Sequence, residues 1–382
     1  MKTIVIGGVA GGASTAARLR RMDEKAEIII LERGPYISFA NCGLPYFIGE
    51  VISERDKLLV VTPEMLREMM NIDSRVLNEV IAIDRKKKSV TVRNLETGET
   101  YEETYDKLVL SPGAGPIVPP LPGVDLPGVF TLRNLPDMDK IKAFVDEKKP
   151  ARAVVVGGGF IGLEIAENLV DRGVEVTLIE MLDQVMAPID YEMAALVHQH
   201  LTFKRIRLAL GDGLKSIGTG KAGWMEVELS SGRKVDTELV ILSIGVRPEN
   251  KLAKDAGLEL GIRGTVVTNE HMQTSDPDIY AVGDVAQVTS RLTDTATALA
   301  LAGPASREGR VAADHMAGNK KAKFPGVIGT SVVKVFDLTV ASVGMNAKAL
   351  QQAEIPFQNV IIHASNHAGY YPGASPMAFK LL

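Results

Sequence analysis

One cysteine stands in a chain of 382 residues, within Ile37-Ser-Phe-Ala-Asn-Cys-Gly-Leu-Pro-Tyr46. A lone cysteine is most often a small buried apolar residue. Here Asn41, Gly43 and Pro45 interrupt any apolar period around Cys42. A helix beginning near Gly43 or Leu44 would turn its positive end toward the sulfur and favour the thiolate, the nucleophilic form. A single thiol excludes an internal disulfide and fits a reducing, cytoplasmic setting.

The second chemistry-bearing pattern is a glycine turn that occurs twice. Gly157, Gly159 and Gly162 follow an apolar strand and open a helix, and Glu180 closes the next strand. This order aims helix N-terminal amides at a pyrophosphate and a carboxylate at a ribose hydroxyl pair. Phe160, Ile161 and Glu164 sit on the same turn and its helix. A carboxylate at position 180 repels a 2′-phosphate, so NADH is expected over NADPH. The chain opens on the same pattern, Gly7-Gly8-Val9-Ala10-Gly11-Gly12, with Glu32 after the next strand and Val9 in place of the middle glycine. The bland alternative for either turn is a tight strand-to-helix corner with no ligand.

The elements that position these residues read as two βαβ units. The first is strand 3–6, helix 13–22 and strand 27–32; the second is strand 153–156, helix 163–171 and strand 174–180. Internal duplication of a nucleotide-binding unit is the simplest account. Strands are expected at 79–84, 89–94 and 107–110, and the proline-rich stretch 112–127 reads as a linker that marks a domain crossing. A second crossing falls at 243–248, after strand 239–242. Beyond Phe324, β-rich runs at 330–335 and 360–363 suggest a smaller third domain. A net charge of −4 gives no footprint for nucleic acid. No apolar run reaches membrane-span length, and the six histidines form no metal-ligand spacing.

The segment Thr274-Ser-Asp-Pro-Asp-Ile-Tyr-Ala-Val-Gly-Asp284 resembles the second FAD fingerprint of the pyridine nucleotide-disulfide oxidoreductases. Ser-Phe-Ala-Asn-Cys-Gly-Leu with the following Pro-Tyr resembles the active site of the coenzyme A-disulfide reductases, the single-cysteine branch of that family. The likeness extends through GGVAGGAS, GGGFIGLE, GVRP and YYPGASP, over nearly the whole chain. It implies an α/β fold: two Rossmann-like domains, for FAD and NAD, plus a smaller α+β C-terminal interface domain. FAD would occupy residues 1–112 and 243–322, NAD(P) residues 113–242, and a dimerisation domain, incomplete at Leu382, residues 323–382.

The resemblance also implies residue roles. Gly7 to Gly12, Glu32, Arg33, Asn41, Ser111, Pro112, Gly113, Gly245, Gly283 and Asp284 would serve the cofactors, with Asp284 on the ribityl chain. Ser14, Arg18, Arg21, Ser38 and Asn41 would contact coenzyme A. Arg18 and Arg21 share a helical face, where helix-dipole compensation is the plain alternative. Tyr370 or Tyr371 would face the cysteine. Phe47 stands where dithiol relatives carry a second cysteine, so the disulfide partner of Cys42 must come from outside. The expected activity is NAD(P)H-dependent reduction of a coenzyme A disulfide, persulfide or polysulfide by a homodimeric flavoprotein. The rivals are an NADH oxidase or peroxidase cycling through a sulfenic acid, and a non-catalytic flavoprotein.

Overall fold

A computed structural model describes residues 1–382, the side chain of Ala222 apart. In chain order the elements that build the sites are β1 (Lys2–Ile6), α1 (Ala10–Met22), β2 (Glu27–Leu31), α2 (Leu44–Ile48), β3 (Asp73–Arg75), β4 (Lys107–Leu110) and β5 (Val129–Thr131). They continue with β6 (Arg152–Val156), α3 (Phe160–Asp171), β7 (Glu175–Glu180), β8 (Arg207–Leu210), β9 (Leu239–Leu242), β10 (Ile279–Ala281) and α4 (Ala302–Met316). Continuous β-branched and leucine runs such as Lys-Thr-Ile-Val-Ile and Arg-Ala-Val-Val-Val suit strands covered on both faces, and parallel sheets result.

The chain forms two compact units: Met1–Ile117 with Arg133–Lys140 and Val246–Ile328, and Val118–Leu132 with Ile141–Gly245 and Gly329–Leu382. The first holds a five-stranded parallel sheet ordered β10-β4-β1-β2-β3, and the second a five-stranded parallel sheet ordered β5-β9-β6-β7-β8. Each carries a three-stranded antiparallel meander before its returning strand. These run Asn78–Asp84, Ser89–Asn94 and Thr100–Thr104 in one, and Leu214–Thr219, Met225–Leu229 and Lys234–Thr237 in the other. The duplication therefore extends from the glycine turns to the whole topology. The first core gathers Ile4, Val5, Ile30, Val109 and Ile279, and the second Val154, Val156, Ile179 and Val240.

Both helices after the glycine turns begin three residues earlier than their apolar periodicity indicates, at Ala10 and Phe160. The glycines are helical already, because the helix must start against its own strand. The strand Thr100–Thr104 carries alternating polar residues on a half-exposed meander, which hides it from an apolar pattern. The two crossings meet as an antiparallel pair, Ala114–Pro116 with Val246–Pro248. Among the described residues no helix is long and apolar enough to cross a membrane.

Candidate active site

The two glycine turns are built alike. Gly7 has φ +92° and Gly157 φ +110°, a region closed to most side chains. A β-carbon at Gly7 would stand 2.1 Å from the Ser111 carbonyl oxygen, and one at Gly157 2.3 Å from that of Ser243. A β-carbon at Gly12 or at Gly162 would stand 1.9 Å from the carbonyl oxygen of Gly7 or of Gly157. These four glycines are demanded by the fold itself.

The middle position obeys a different rule. A β-carbon on Gly159 would meet nothing within 4 Å, so the protein does not forbid a side chain there. Only a ligand approaching the backbone would. Val9 at the corresponding place is the N-cap of α1 and leaves the rest of that turn undisturbed.

Each turn is closed by its acid. Glu32 Oε2 accepts from the Gly8 N–H at 3.0 Å and Oε1 from the Gly34 N–H at 2.8 Å. Glu180 Oε2 accepts from the Gly158 N–H at 2.7 Å and Oε1 from the Leu182 N–H at 2.9 Å. Every oxygen keeps a further lone pair, which is what a ribose hydroxyl pair requires of a carboxylate held in place.

Cys42 is exposed and lies in a 3-10 turn, Asn41–Gly43, that runs directly into α2. The loop leaves the glycine turn closely: a β-carbon on Gly8 would stand 2.5 Å from the Ile37 carbonyl oxygen. Ser38 is buried on the short strand that follows. Gly43 then packs against the end of the Leu58 side chain, which a β-carbon there would displace. Asn41 Nδ2 donates to the Arg133 carbonyl at 3.2 Å.

Arg133 joins this loop to the rest of its unit, and no motif in the sequence marks it. Its guanidinium donates to Glu249 Oε1 at 2.8 Å and to the Pro112 carbonyl at 3.1 Å. Arg33 also donates to Glu249, at 3.0 Å. Burial works against the Glu249 charge, but the two arginines outweigh it and hold its carboxyl below the usual range. The charge of Arg133 is felt as well by Asp284, where burial nevertheless raises the pKa. The Asp284 carboxylate has no hydrogen-bond partner among the described residues. It follows Gly283, which has φ +76°, on the turn after β10.

Glu308, on α4, is a second acid at this turn that pattern reading passed over, because a glutamate inside a helix carries no motif. Its Oε2 accepts from the Gly283 N–H at 2.7 Å.

The remaining residues singled out from the sequence fall as follows. Ser14 Oγ lies 2.7 Å from Ser306 Oγ, and Arg18 is closed on Asp314 through two N–H donors, at 2.6 and 3.1 Å. Arg21 is exposed. Phe160 and Ile161 open α3, and Asn168 Nδ2 donates to the Glu164 carbonyl at 2.7 Å. Gly113 and Gly245 have φ +72° and +121°, directly after the strand ends at Ser111-Pro112 and Ser243. Tyr370 and Tyr371 are 92% and 65% exposed, in the connection between Val360–Ser365 and Pro376–Leu381.

Two duplicated dinucleotide folds, one bearing an exposed thiol, define an oxidoreductase scaffold. A family model described as pyridine nucleotide-disulphide oxidoreductase matches residues 1–302, and the chain belongs to this family. Among its relatives, the coenzyme A disulfide reductase of Staphylococcus haemolyticus is 40% identical, over 97% of this chain and 82% of that protein. The solved structure of reduced Bacillus anthracis CoADR-RHD has TM-score 0.97 and 55% identity, covering 99% of this chain and 68% of that one. A NAD-dependent persulfide reductase from A. fulgidus has TM-score 0.96 and 36% identity, covering 100% and 71%.

Proposed function

We propose that the first unit binds FAD, that the second binds NADH, and that Cys42 reduces a coenzyme A disulfide, persulfide or polysulfide. The observation that carries this reading is the exposed Cys42 on a loop anchored to the unit that also holds Glu32 and Asp284. The residues fit FAD: Asp284 is a half-buried carboxylate lacking a donor, as a ribityl hydroxyl would supply, and Glu32 is held for a ribose. In the second unit the open ground over Gly159 and the anchored Glu180 fit a dinucleotide without a 2′-phosphate. The names of the similar proteins supply the substrate class.

FAD, when bound, supplies two-electron transfer between nicotinamide and sulfur. The Cys42 thiolate attacks one sulfur of R–S–S–R, forming a Cys42–S–S–R bond and releasing RS⁻. Two electrons and one proton, drawn from NADH, then cleave that bond to the Cys42 thiolate and RSH. Ser14, Arg18, Arg21, Ser38 and Asn41 are assigned to the coenzyme A moiety, with Arg18 available to a phosphate on exchanging Asp314. Residues 1–112 and 243–322 are read as the FAD domain, 113–242 as the NAD domain and 323–382 as an interface domain of a cytoplasmic homodimer. In such a dimer one of Tyr370 and Tyr371 serves the partner's thiol, and their exposure supports this.

Mass spectrometry of the non-reduced protein is expected to show a coenzyme A-sized adduct on Cys42, removed by NADH. An NADH-dependent thiol-release assay with coenzyme A disulfide is expected to run without oxygen uptake. Oxygen or peroxide consumption in place of thiol release would overturn the assignment in favour of an oxidase.

A further inference from the structure

Helix α4 crosses α1 at Gly309, where a β-carbon would stand 2.5 Å from the Gly11 carbonyl oxygen. That close crossing, with the Ser14 and Ser306 hydroxyls 2.7 Å apart, sets Glu308 against the turn after β10. Glu308 is 2% exposed, and its one hydrogen bond among the described residues is from the Gly283 N–H. Asp284 is the next residue on that turn and is half-buried, so a second carboxyl group stands at the same turn and its charge acts on Glu308.

The charged surroundings are sparse. The turn presents Asp284, and Arg133 acts on Asp284 from beyond it. Helix α1 presents Ser14 and Thr15 at this level, and further along its Arg18 is closed on Asp314. Arg307 and Arg310 flank Glu308 in the α4 sequence, and no cation is paired with it among the described residues.

We propose that Glu308 is held as the neutral acid in the FAD-loaded protein, and that FAD binding and protonation of Glu308 are coupled. The inference rests on the reading of the first unit as the FAD site and deepens it. A buried carboxylate and a half-buried one at the same turn are costly to ionise together. Asp284 is the more exposed of the two and has the charge of Arg133 acting on it, whereas Glu308 is buried with no cation paired to it among the described residues, so the proton falls to Glu308. Burial already pushes the Glu308 pKa up to about 7, against the Gly283 N–H, and the Asp284 charge adds to the rise. FAD brings phosphate charge and displaces water from the unit, and both favour the proton further. FAD affinity is therefore full below this range and falls as pH rises through it.

The test dilutes holoenzyme to nanomolar concentration and follows the fluorescence of released FAD from pH 6.5 to 8.5. The wild-type dissociation constant is expected to rise ~10-fold across this range, and that of Glu308→Gln, which keeps an acceptor for Gly283, less than ~2-fold. Equal slopes in the two proteins, or a flat wild type, would overturn the coupling. If Glu308→Gln does not fold, infrared spectra of the wild-type holoenzyme at pH 7.5 decide: the stretch of a neutral carboxylic acid supports the proposal and its absence refutes it. Protein that holds no FAD at any pH would instead defeat the FAD reading itself.

Discussion

The first and second units share strand order, meander, positive-φ glycine and the carboxylate that closes the turn, yet they differ in what is attached to that frame. In the second unit the turn is bare: Gly159 faces open ground and Glu180 completes the site. In the first unit Val9 occupies that ground, and the chain beyond β2 adds the Cys42 loop, the Arg33–Glu249–Arg133 group and the acid pair Asp284 and Glu308. The repeated scaffold explains binding a dinucleotide. On the function proposed above, the additions let the first copy reach sulfur while the second serves as the hydride source.

The comparison breaks most decisively at the thiol. Cys42→Ser is expected to keep yellow flavin and normal NADH binding while thiol release falls by at least ~10³-fold, since no second nucleophile replaces the lost one. Full disulfide turnover by that variant would refute the division of labour. Next come the packing glycines. Gly162→Ala is expected to cost ~1–3 kcal/mol in the unfolding of the second unit and to abolish NADH reduction while FAD stays bound, and Gly12→Ala to release FAD instead. Visible absorbance and denaturant melts of the two variants separate these outcomes.

Glu180→Gln is a smaller change: the Michaelis constant for NADH is expected to rise ~10-fold and the preference over NADPH to shrink, read from steady-state flavin reduction. Gly159→Ala should leave stability within ~0.5 kcal/mol while weakening NADH, because only the ligand needs that glycine. A melting shift as large as that of Gly162→Ala would show that the fold needs it too.

Smallest of all is Glu249→Gln. The folded-state pKa of Glu249 lies below its unfolded value, so its contribution is present at neutral pH and lost as pH falls through the folded value. The variant should be less stable by ~0.5–1 kcal/mol at pH 7, and the difference should vanish as pH falls through the folded-state pKa of Glu249.

Much of this was legible in the residues. Glycine turns, the strands beside them and the acids Glu32 and Glu180 are close in sequence and bound to a periodic frame, so pattern alone locates them. Asp284 is marked by resemblance, at the end of an apolar strand followed by Gly-Asp. Arg133 and Glu308 carry no local signal in the sequence. Each acts across 25 or more residues, on Glu249 or on Gly283, and no local period encodes a contact that only the fold creates. The return of Arg133–Lys140 to the first unit is hidden for the same reason, inside a stretch, 113–242, expected to lie wholly in the second.

The first sheet is finished by β10 and braced by α4, and both are encoded after the whole of the second sheet. On the ribosome the order of completion is therefore inverted: a nascent chain has all five strands of the inner unit by residue 242, while its amino-terminal unit still lacks an edge strand and a supporting helix. Closing that gap entails joining segments across a long insertion whose five strands have already been made, and if the first unit is the flavin site, as proposed, flavin capture is a late event in biogenesis. Strand β4 and helix α1 thus each wait for a partner that is made only after the whole second sheet.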